Sequence, residues 1–260
     1  MKKLMLSAIL AMGLASTAMA NGITVQGEYH DLSGSAYDKI KVYGAKANYD
    51  KFGLFVKKWT KSGDDVSDID GTQIFGGMKT ALSDGFTGNF GIEFVKVKVD
   101  DGDTSDNWVY NLGVSKVLDE ETSLNAQAWY TAVDNEKNNQ QLDLTINTKL
   151  DEEVGLKAKA GITILHNGEL DKNYAVFSAG ISKQCNDKLT GKLAVTLGKN
   201  SGMIYANGWL IEGKDVEYKV NAEANYKIDK QNSVGLNIGY TSYEDDIHKT
   251  SYIVNYTYRF

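Results

Sequence analysis

After residue 20 the chain repeats one pattern along its length: apolar and polar side chains alternate, run after run. Phe86, Gly88, Phe90, Ile92 and Phe94 share one face, with Thr87, Asn89, Gly91 and Glu93 on the other. Leu142, Leu144, Ile146 and Leu150 oppose Gln141, Asp143, Asn147 and Lys149 in the same way. Val216, Tyr218, Val220, Ala222, Ala224 and Tyr226 oppose Glu217, Lys219, Asn221, Glu223 and Asn225. The last run sets Tyr252, Val254, Tyr256, Tyr258 and Phe260 against Ser251, Asn255, Thr257 and Arg259. A period of two belongs to strands, whose successive side chains point to opposite faces. The chain is therefore built from many strands, each with a greasy and a wet face.

The punctuation between these runs sets their number. Tight-turn signals recur at Asp50-Lys51, Ser83-Asp84-Gly85, Asp119-Glu120-Glu121, Asp151-Glu152-Glu153, Asn186-Asp187-Lys188 and Asp229-Lys230-Gln231. Between them lie seven longer polar segments: 31–37, 62–70, 100–106, 134–139, 166–172, 199–213 and 244–249. Six turns alternating with seven loops call for fourteen strands, with twelve or sixteen as alternatives, and put both termini at the tight-turn end. Proline is absent, so no Pro-rich linker or Pro-marked domain boundary is possible.

A soluble sandwich also alternates, but it does not need tight turns at one end and acidic loops at the other. Nor does it need strands long enough to cross a bilayer at a tilt. Only a closed sheet pairs every backbone group in lipid. The expected fold is all-β: a transmembrane antiparallel up-and-down β-barrel spanning residues 21–260. Fourteen strands close to a backbone radius of about 14 Å, wider than side chains are expected to fill. Residues 1–20 read as a signal peptide: Lys2 and Lys3, an apolar stretch from Leu4 to Leu14, then Ala18-Met19-Ala20.

These features resemble bacterial outer-membrane porins, in an architecture that ends Tyr252-Ile253-Val254-Asn255-Tyr256-Thr257-Tyr258-Arg259-Phe260. The strand count is similar to that of the monomeric fourteen-stranded porins of the outer membrane protein G type. The resemblance implies a Gram-negative outer membrane, contact with its lipid and lipopolysaccharide, and a monomer that passes ions and small hydrophilic solutes. It also implies that the barrel-assembly machinery reads Tyr256, Tyr258 and Phe260 as an assembly signal. Larger trimeric porins fold a long third loop into the channel; residues 100–106 are too short for that.

Alternation places Glu28, Lys46, Glu93, Asp143, Lys149, Lys157, Lys159, Lys192, Glu217, Lys219, Glu223 and Arg259 on the pore-lining face. Fixed charges on a wet wall bias which ions pass. For residues 52–61 two registers are open: either Phe52, Leu54 and Val56 face lipid, or Phe55 and Trp59 do. Tyr29, Tyr49, Trp59, Trp108, Tyr130, Tyr174, Tyr226 and Tyr240 fall near strand ends, where aromatic girdles sit. In segment 199–213, Asn207-Gly208 between apolar residues, with Tyr205 and Trp209, suggests a hairpin able to fold over the mouth as a gating loop.

Other classes fit less well. A net charge of −6 argues against nucleic-acid partners. One cysteine, Cys185, allows no intramolecular disulfide and no Cys-cluster metal site. No cofactor motif occurs. His30, His166 and His248 are expected in outer loops, and Asp246-Ile247-His248, Asp68-Ile69-Asp70 and Asp101-Gly102-Asp103 resemble, faintly, the paired acids of omptin proteases. An outer-membrane protease of that type and a surface adhesin without transport are the alternatives to a porin; the expectation is that the chain is not an enzyme.

Overall fold

A computed structural model describes residues 21–260 apart from 65, 100, 101, 103, 120, 134–138, 152–155, 168–171 and 201–215. The proposed signal peptide and the candidate gating loop, including Tyr205, Asn207, Gly208 and Trp209, lie outside the described residues.

The strands are β1 (Gly22–Ser33), β2 (Lys39–Tyr49), β3 (Phe52–Gly63), β4 (Val66–Ala81), β5 (Phe86–Val99), β6 (Thr104–Val117) and β7 (Thr122–Val133). They continue with β8 (Asn139–Asp151), β9 (Leu156–Asn167), β10 (Lys172–Gln184), β11 (Leu189–Asn200), β12 (Val216–Lys227), β13 (Asn232–Tyr243) and β14 (His248–Arg259). Each strand pairs antiparallel with its chain neighbours, and β1 pairs with β14 to close the barrel. The closing seam runs from Gly22 opposite Arg259 to Ser33 opposite His248. Fourteen strands in up-and-down order are what the turn spacing leads to.

Three tight turns share one local device. Asn186 Oδ1 accepts from the backbone N–H groups of Lys188 and Leu189 at 2.9 and 2.8 Å. Asp119 does the same for Glu121 and Thr122 at 2.8 and 2.6 Å, and Asp229 for Gln231 and Asn232 at 2.8 and 2.7 Å. A short side-chain acceptor thus pre-forms the bend before the ladder resumes. These donors hold the Asp119 carboxyl below its usual range; for Asp229 the Asn232 side chain contributes most. The Asp84-Gly85 turn instead uses positive φ at both residues, 48° and 79°, as a two-residue hairpin requires.

Strands run further than the polar segments suggest. β1 continues to Ser33, and β4 starts at Val66, so Asp68 and Asp70 belong to a strand. The reason is Ile69 between them, which is inward and 1% exposed, so the alternation passes through the acidic run. His30, His166 and His248 likewise lie in β1, β9 and β14 rather than in loops.

The outer surface carries the exposed apolar rows, including Tyr29, Tyr49, Trp108, Tyr130 and Tyr226. Among the expected girdle residues whose side chains are described, Trp59 departs: it points inward and is buried. This fixes the register of β3, with Phe52, Leu54 and Val56 exposed outside and Phe55 and Trp59 inside.

Candidate functional site

The inner wall has two sectors with different physics. At the loop end, Leu32, Ile40, Val42, Trp59, Ile69, Val95, Val97, Val216, Tyr243 and Ile247 form one buried apolar cluster. Tyr37, from the β1–β2 connection, packs against it. The interior is therefore partly filled, contrary to the expectation from radius alone. Glycine makes this packing possible. Trp59 is opposite Gly71 on β4, and a Cβ there would sit 1.7 Å from the indole Cε2. A residue with any side chain at 71 would push the ring off the wall.

Set among these apolar groups is a charged cluster. Lys57 Nζ lies 2.8 Å from Glu28 Oε1, with both side chains withdrawn from solvent. Glu28 Oε2 is 3.0 Å from His30 Nε2, and His30 Nδ1 is 2.8 Å from Ser251 Oγ. Lys61 Nζ stands 3.7 Å from the centroid of the Tyr37 ring. Lys219 and Lys249 are buried on β12 and β14. Of this group only Glu28 and Lys219 are evident from alternation. Lys57 and Lys61 sit on the strand whose two faces are both partly apolar. His30 and Lys249 fall in segments whose polarity reads as loop. The strand-final signal that could have found them is the inward parity continuing past Glu28 and before Ser251.

On β8 to β12 the inner wall is polar and more open. Inward parity and register join Lys149 to Lys157, Lys157 to Ser182, Ser182 to Lys192 and Lys192 to Glu223 in one row around the barrel. Lys192 Nζ pairs with Glu223 Oε1 at 3.0 Å, and the Lys192 side chain keeps 48% of its exposure. Three inward positions further toward the loops on β8, Asp143 accepts from Gln141, Thr163 and Trp129 at 2.6, 2.8 and 3.2 Å. Lys159 is opposite Asn147, and Lys46, opposite Thr24, faces inward on β2. Glu93 is buried on β5, where the Gln73 amide donates to it, and Arg259 closes the inward row of β14.

Glu217 departs from the expected pore-lining set. A bulge between Val216 and Tyr218 pairs Val216 with Tyr243 inside the barrel. Glu217 becomes the extra residue, exposed, and accepts from Ser242 Oγ at 3.2 Å. One additional residue shifts the parity, so strict alternation carried back from Lys219 misplaces it.

The histidines occupy three separate settings. His30 is in the inner cluster, His248 stacks on Tyr240 with centroids 5.5 Å apart, and His166 meets Asn173 Oδ1 at 3.1 Å. Asp70 accepts from Thr60 Oγ1 at 2.6 Å, while Ile247 of the Asp-x-His run is buried in the apolar cluster. No group of three or more metal-ligating side chains occurs among the described residues.

No protein-family model matches the chain, and no curated protein matches it. Its closed barrel does match solved structures. The monoaromatic hydrocarbon channel CymD superposes with a TM-score of 0.68 at 9% identity, covering 97% of this chain and 91% of that one. This is the outer-membrane β-barrel fold. The toluene transporter TodX of Pseudomonas putida gives 0.65 at 11% identity, covering 96% and 91% of the two chains. The outer-membrane protein Omp33 of Acinetobacter baumannii gives 0.54 at 11% identity, covering 94% and 100%. The barrel matched in each case spans almost the whole of this chain, so the likeness extends to all of its strands and the closing seam.

Proposed function

We propose that the protein is a monomeric porin of a Gram-negative outer membrane, passing ions and small hydrophilic solutes by diffusion. The observation that carries this reading is the row Lys149, Lys157, Lys192 and Glu223. Charged side chains face the interior there without being packed away, as a water-filled path requires. The path runs beside the polar wall of β8 to β12, because the opposite sector is occupied at the loop end. Liposomes loaded with impermeant polymer test it. Vesicles containing the barrel swell in small sugars and less in larger ones; vesicles that swell in neither contradict it.

A second reading takes up the apolar cluster, since the solved relatives named above include a hydrocarbon channel and a toluene transporter. Val42, Trp59, Ile69 and Val95 would then receive an apolar solute. Their exposure of 0 to 1% favours the hydrophilic path, because these groups are covered by one another.

A further inference from the structure

We infer that Lys219, Thr241 and Lys249 form a seat for a small oxyanion inside the barrel. Lys249 on β14 is directly opposite Thr241 on β13, and Thr241 is directly opposite Lys219 on β12. The three therefore stand side by side in one inward row, two ammonium groups flanking a hydroxyl. All are buried, with exposures of 6, 1 and 0% in the order Lys219, Thr241, Lys249. The Lys249 ammonium has no hydrogen-bond partner among the described residues, and the Tyr243 ring centroid lies 6.0 Å from it.

Among the described residues, the surrounding charges do not balance this pair. The charged groups acting on Lys249 among the described residues are Lys219, Lys57, Lys61 and Glu28. Glu28 is the sole acid among them, and its two oxygens already meet Lys57 and His30. A buried cation without a counter-charge is expensive, and a small anion between the two ammonium groups removes that expense. The matching chemistry is a compact group with several oxygens, which accepts from both lysines and from the Thr241 hydroxyl. A phosphate and the carboxylate of a small organic acid both present it. The inference concerns binding, and it stands whether or not solutes cross the barrel.

Calorimetric titration of the folded full chain in uncharged detergent, at constant ionic strength, tests this with sodium phosphate and sodium acetate. We expect saturable binding of one anion per barrel. Lys219→Met and Lys249→Met each weaken it at least tenfold, and Lys230→Met, in a tight turn, leaves it unchanged. Binding of phosphate alone assigns the seat to tetrahedral oxyanions; binding of acetate assigns it to carboxylates. Should Lys249→Met not give a heat-modifiable barrel, Lys219→Met and Thr241→Val carry the comparison. No saturable heat with either anion, or equal affinity in wild type and the seat variants, overturns the inference.

Discussion

The Lys57 ammonium reaches Glu28, at 2.8 Å, across a strand that belongs to neither residue. Lys57 is opposite Gly44 on β2, so the middle strand carries no side chain beside it, while Glu28 is opposite the inward Val42 on the same strand. The pair ties the first strand to the third from inside the barrel, close to the seam that β1 makes with β14.

Glu28→Gln leaves Lys57 buried without its carboxylate. Removing one partner of a buried pair destabilises by about 3–5 kcal/mol. We expect a lower urea midpoint for the variant barrel in lipid vesicles, and recovery of most of that loss in Glu28→Met/Lys57→Met. A double-variant loss equal to the sum of the Glu28→Met and Lys57→Met single losses would show that the pair is not coupled.

Gly71→Val drives a side chain into the Trp59 indole, which a Cβ alone already meets at 1.7 Å. Overpacking of this kind costs about 1–3 kcal/mol. Trp59→Leu in the same chain should return much of it, because the smaller side chain vacates the space over position 71. Unfolding midpoints of the three variants decide the matter, and a Gly71→Val barrel as stable as wild type would contradict the packing.

The strand count, the closed topology and the position of the termini are legible in the sequence because period-two alternation and turn chemistry are local. The inner cluster is less so. β3 is apolar on both faces, so alternation alone cannot choose between Phe52 and Phe55 for the outside. The structure chooses because Gly71 on the next strand gives Trp59 room inside. Glu217 shows the opposite limit: one bulged residue inverts parity without any change in composition.

The acid side of stability should depend on the turn carboxylates. Asp119 and Asp229 are held below their usual range in the fold, so their contribution is complete above about pH 4 and is lost as pH falls through the folded values. Asp119→Asn/Asp229→Asn keeps the turn acceptor, as Asn186 does at its own turn, and should flatten the decline in heat stability below that pH. An identical acid decline in wild type and variant would contradict this.

Phe260 is exposed on the outer surface, its ring 6.3 Å from that of Tyr258, and its N–H donates to Asn21 O at 3.2 Å beside the closing seam. We propose that it serves as the assembly signal with Tyr256 and Tyr258. Deleting Phe260 should lower the amount of folded barrel in the outer membrane several-fold, with little change in the conductance of the molecules that fold. Deleting Arg259 moves Phe260 to the inward face and should be comparably harmful. Wild-type levels of both deletions would contradict the role.

Lys157, Lys159 and Lys192 should make the proposed path less favourable to cations. Replacing all three with Met removes positive charge from the inner wall and leaves Glu223 without the ammonium 3.0 Å away. The reversal potential in a salt gradient should then move toward cation preference. An unchanged potential would place these side chains outside the ion path.

Single-channel recording in a planar bilayer tests most directly whether the barrel conducts. The account predicts discrete, ohmic steps in potassium chloride from the purified full-length barrel, because the inward row of Lys149, Lys157, Lys192 and Glu223 is not packed away. A silent bilayer containing correctly folded, heat-modifiable barrel would contradict it.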